Sequence, residues 1–130
     1  MRGPIPFWLP GVWTCEKVAK PRANNPHAAF AVAITFKITG HGHFARGSGT
    51  AANAATGQRA VPITAHGTWT YWRISKFGHP ALQIRARTSH DVWLHIWVQP
   101  LNEDLMFKTS SPQEVRQSGL YIEDTCRRVR

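Results

Sequence analysis

The sequence predicts an all-β protein: a single antiparallel up-and-down barrel of about eight strands, with little helix. Three observations carry that prediction. Apolar residues alternate with a period of two along most of the chain, turn-forming glycines, prolines and asparagines separate the stretches at short regular intervals, and almost nothing shows helical spacing. The 130 residues fit one domain, 1–130, preceded within it by an irregular proline-rich arm over 1–9. A two-sheet sandwich is the competing arrangement, and short connections between successive strands favour the closed meander.

The first strand is expected at Gly11–Val18, followed by a basic loop, Lys20-Pro21-Arg22-Ala23-Asn24-Asn25-Pro26, whose prolines stop both helix and sheet. The second, Ala29–Thr39, alternates most clearly. Phe30, Val32, Ile34, Phe36 and Ile38 form a bulky inward row, and the small residues opposite them suggest a covering segment or a second copy of the chain, a homodimer. Gly40-His41-Gly42-His43 turns the chain into Phe44–Ala52, where Gly47 and Gly49 permit bends or bulges. After the turn Asn53–Gly57, a strand from Arg59 to Thr64 leads into Gly67–Ser75. There Trp69, Tyr71, Trp72 and Ile74 break strict alternation, and a bulge near Tyr71-Trp72 is expected. Ala81–Thr88, Val92–Gln99, Asp104–Thr109 and Gly119–Val129 complete the set, with Ser110–Ser118 a polar loop or a single helical turn.

Six Trp, six Phe and two Tyr supply a large aromatic core and exclude disorder. Sixteen Lys+Arg against seven Asp+Glu leave a formal charge of +9, which favours acidic partners: nucleic acid, anionic lipid, an acidic glycan or an acidic protein face. No run reaches the 18 or so apolar residues of a membrane helix, so no transmembrane segment is expected. Cys15 lies in the first strand and Cys126 in the last, which a closed sheet makes neighbours. A disulfide there closes a loop of about 110 residues, worth ~4–5 kcal/mol in the chain-entropy picture, and points to an oxidising compartment. Two buried free thiols are the alternative. On the disulfide reading the protein is secreted or periplasmic, its signal peptide already removed.

Gly11-Val12-Trp13 near the start of the first strand, a basic residue on the last (Arg127 or Arg128) and the later Gly67-Thr68-Trp69 resemble the lipocalin-like barrels of the calycin group, including small bacterial lipocalin-like proteins. The resemblance implies a barrel end closed by an arginine packed over the tryptophan, a cation–π contact of ~0.5–2 kcal/mol. It also implies a ligand-binding role without enzymatic activity or cofactor. Neither a T-D-Y-type motif nor a C-terminal amphipathic helix accompanies it.

For a small apolar or aromatic ligand in the barrel mouth, the expected lining residues are Trp13, Phe36, Trp69, Trp72 and Leu94. The strand Val92–Gln99 is apolar on both faces, whereas a one-layer barrel needs only one such face. Trp93, His95 and Trp97, with Arg85 and Arg87 beside them, therefore form a candidate surface for an acidic protein partner or a flat ligand, unless Phe7-Trp8-Leu9 covers it. His41 and His43, with His66 or His79, could offer imidazoles to a metal, but turn histidines between glycines are ordinarily solvated, and no metal is expected. A nucleic-acid-binding barrel is the rival reading. The basic residues are spread along the chain rather than clustered, and no nucleic-acid motif appears. No Ser/His/Asp or Cys/His arrangement has a distinctive local context, so catalysis is not expected.

Overall fold

The computed structural model describes residues 4–21, 30–53 and 57–130. Eight strands close into an antiparallel barrel in sequence order: β1 Gly11–Pro21, β2 Phe30–Ile38, β3 His43–Asn53, β4 Gln58–Trp72, β5 Ala81–Thr88, β6 Trp93–Asn102, β7 Leu105–Thr109 and β8 Leu120–Arg128. The one helix among the described residues, α1 Pro112–Ser118, is the expected turn between β7 and β8. Ser111 caps it, accepting from the Glu114 amide while the Glu114 side chain returns to the Ser111 amide, and Gly119 ends it in the left-handed conformation. Most of the proline-broken loop after β1, the start of the second strand and part of the turn after Asn53 lie outside the described residues.

Period-two alternation translates directly into the barrel interior. Trp13, Cys15 and Ala19 of β1, Ile34, Phe36 and Ile38 of β2, Leu82, Ile84 and Ala86 of β5, and Leu94, Ile96 and Val98 of β6 point into one core and are buried. The stretches expected as two strands, Arg59–Thr64 and Gly67–Ser75, are the single strand β4. Gly67 lies mid-strand because a Cβ there would meet the Arg85 carbonyl at 2.0 Å. The bulge expected at Tyr71-Trp72 is absent. The β4–β5 ladder runs without a shift from Ala65↔Thr88 to Trp72↔Ala81, and Tyr71 packs against the core in the same inward row as Trp69. The register shifts fall instead on β3, between Phe44 and Gly47 and between Ala51 and Asn53, and on β6 next to Pro100.

First and last strands meet in the register that aligns Cys15 with Cys126, and the two are joined by a disulfide. No helix among the described residues is long and apolar enough to cross a membrane.

Candidate functional site

One end of the barrel is filled. The chain enters β1 there, and Leu9 is fully buried with Trp13, whose Nε1 donates to the Leu9 carbonyl at 2.8 Å. The guanidinium of Arg128 stands 4.5 Å from the Trp13 ring and donates to the carbonyls of Trp8, Pro10 and Glu103. Gly11 has a positive φ of 142°, which favours glycine, and a Cβ on it would meet Arg128 Nη1 at 2.6 Å, so the guanidinium would have to shift. The arginine over the tryptophan is thus Arg128, while Arg127 points outward and is exposed. The described part of the arm packs at this end through Trp8 and Leu9, not over Trp93 and Trp97.

Among the described residues, the other end is open. Between the starts of β2, β4 and β6 and the ends of β1, β3 and β5 lies a cavity of about 610 Å³. Val32, Ala51, Val61, Ile63, Val92 and Leu94 give it apolar walls, and Lys17, His90 and His95 stand on its border. A cavity of this size suits a small organic ligand.

The wall beside this cavity is incomplete. β6 pairs with β7 only through Gln99, Pro100 and Asn102, so Trp93–Val98 has no strand partner on its β7 side among the described residues. Side chains take over the backbone groups there. Lys17, from the inward row of β1, donates to the His95 carbonyl, and Asp124, from the inward row of β8, accepts from the Trp97 amide at 3.2 Å. The two charges pair at 3.5 Å, with side chains only 18% and 8% exposed. A second hollow of about 560 Å³ lies outside this seam, bounded by Lys76, Phe77, Trp97, Lys108 and α1, and Lys17 and His95 border it as well.

Burial pushes the Asp124 carboxyl above the ordinary carboxylate range, against the pull of Lys17, the Trp97 amide and Lys108. Burial also lowers His95, followed by the charges of Arg85, Lys17 and Lys76. Its Nε2 lies 2.8 Å from Gln83 Nε2, while Gln83 Oε1 accepts from Trp72 Nε1 at 3.0 Å. With the amide so oriented, Gln83 Nε2 donates and His95 Nε2 accepts.

Of the residues expected to line a ligand pocket, Leu94 borders the cavity. Trp13, Phe36 and Trp69 are packed in the core, and Trp72 lies half-buried, bonded to Gln83. The five residues expected at a partner surface do come together. The register sets Arg85 beside His95, Gln83 beside Trp97 and Arg87 beside Trp93, and Trp93 is 67% exposed. Trp97 packs edge-on against Phe77 at 5.2 Å, with Lys76 over both rings and Lys108 over Phe77. No three of the histidines, cysteines and acidic residues converge to hold a metal among the described residues.

Sequence reasoning missed Lys17 and Asp124. The signal was present: each interrupts the inward row of a strand, and the Cys15–Cys126 pairing sets them opposite each other two residues on. In comparisons with known proteins, no family model, no curated protein and no solved structure matches the chain.

Proposed function

We propose that this protein binds a small apolar ligand in the open end of its barrel and carries it without transforming it. The observation that supports the reading is the contrast along the barrel axis: one end is filled by Leu9 and Trp13, whereas the other encloses an apolar cavity of about 610 Å³. A core free to close on itself gains dispersion and hydrophobic energy by doing so, so a hollow of this size is a feature of use rather than of stability. A closed eight-strand barrel with tryptophan and arginine at its plugged end is compatible with a lipocalin-like protein, and the disulfide fits an exported one.

Native mass spectrometry of protein purified from its own host tests the reading. A co-purifying small molecule, or saturable binding of the neutral fluorophore N-phenyl-1-naphthylamine lost on Leu94→Trp, supports it. An empty protein that does not bind the fluorophore contradicts it.

A second reading rests on Trp93. This large side chain stands exposed beside Arg87, with Val92 next to it 57% exposed, and an acidic protein face could dock there. Concentration-dependent mass would identify a second copy as that partner, and salt-dependent retention on single-stranded DNA would favour the nucleic-acid alternative.

A further inference from the structure

We propose that the cavity ligand is an amphipathic anion, its apolar part in the barrel and its oxyanion head on Lys17 in the seam between β6 and β7. This rests on the cavity being the ligand site.

An inward-facing lysine on the same row as Trp13 and Cys15 is costly unless its charge is used. Lys17 forms the partition between the apolar cavity and the outer hollow, bordering both. A chain lying along Val32, Val61 and Leu94 with its terminus at Lys17 therefore reaches a cation and the wet side of the seam together.

The seam favours an anion over a cation or a neutral group. Lys17, Lys76 and Lys108 face it, against Asp124 and Glu114. Glu114 is committed to the Ser111 amide and Lys108, while Lys76 is over the Phe77 and Trp97 rings and in no ion pair among the described residues. Trp97, which borders the outer hollow, keeps a buried indole Nε1 without a hydrogen-bond partner. Asp124 holds the place of the head group: it occupies Lys17, and its second oxygen, Oδ1, is likewise unpartnered. The ligand oxyanion competes with this carboxylate, so neutralising Asp124 strengthens binding. The groups facing Asp124 are Lys17 from β1, Lys108 from β7 and the Trp97 amide from β6.

The test compares dodecanoate with dodecanol, matched in chain and different in head, by calorimetry near neutral pH. The wild-type protein binds dodecanoate about tenfold or more tightly than dodecanol, the scale of a charged hydrogen bond. Asp124→Asn raises dodecanoate affinity and leaves dodecanol unchanged. Lys17→Met removes the discrimination while dodecanol still binds. Because that variant strands a buried carboxylate, the double variant Lys17→Met/Asp124→Asn, which removes both charges, is measured beside it and also loses discrimination. Equal wild-type affinity for the two ligands, or discrimination that survives the double variant, overturns the head-group assignment and leaves the cavity reading standing. Binding of neither ligand overturns both.

Discussion

At the plugged end of the barrel, Leu9, Trp13 and Arg128 fill the space between the strands, and each polar atom named there has a partner: the indole donates to Leu9, and the guanidinium serves three carbonyls. At the open end the same strands surround a cavity, a stretch of β6 lacks a strand neighbour on its β7 side among the described residues, and an ion pair stands in for the missing ladder. The same alternating pattern runs through both ends, so alternation alone does not decide where a barrel is full. What differs is the size and charge of a few inward residues. Trp13 and Phe36 face inward at one end, Ala51, Val61 and Lys17 at the other. On the proposed reading the tightly packed end carries stability and the hollow end carries binding, and the two can be perturbed separately.

The largest effect is expected from the bond that joins first strand to last. Replacing Cys15 and Cys126 together by Ala should cost ~4–5 kcal/mol if the cross-link acts through the unfolded chain, read as a shift in the denaturation midpoint that reductant reproduces in the wild type. Trp13→Ala comes next at ~3–5 kcal/mol. It should leave the affinity of the open cavity unchanged in whatever fraction remains folded, and a matching loss of ligand affinity would show that the two ends are not independent.

Arg128→Ala should cost ~2 kcal/mol, combining the cation–π contact with lost hydrogen bonds to carbonyls. Arg128→Lys should recover little of it, because a single ammonium cannot reach the Trp8, Pro10 and Glu103 carbonyls together. Full rescue by lysine would reduce the plug to a point charge. The smallest effect belongs to His95. Its folded pKa lies below its unfolded value near 6.5, so the unfolded chain binds the extra proton more readily. Stability is then fully present above the unfolded value and declines as pH falls through it towards the folded one. His95→Gln should flatten that part of the stability profile, and an unchanged slope would mean that the imidazole titrates freely.

The barrel was legible in the sequence because period two leaves few alternatives, and the plug because Gly11, Trp13 and a terminal arginine mark its two strands. The continuity of β4 was not, since Gly67 was expected to start a separate strand; the close approach of the Arg85 carbonyl explains a glycine in mid-strand. The cavity was the least legible part. Trp13, Phe36 and Trp69 were expected to line it, but they fill the core, and the cavity walls are mainly aliphatic, with Phe30 and Trp93 the aromatics among them. The unpaired edge of β6 depends on where β7 departs, which no local pattern encodes.

The contrast between the two ends is tested most directly by mapping amide chemical-shift changes during a titration with dodecanol, whose apolar chain needs only the cavity. The predicted changes cluster at Val32, Ala51, Val61 and Leu94 and spare Leu9, Trp13 and Met106. Changes centred on Trp13 and Met106, or confined to Lys76, Phe77 and Trp97 of the outer hollow, would contradict a barrel that is full at one end and made to be filled at the other.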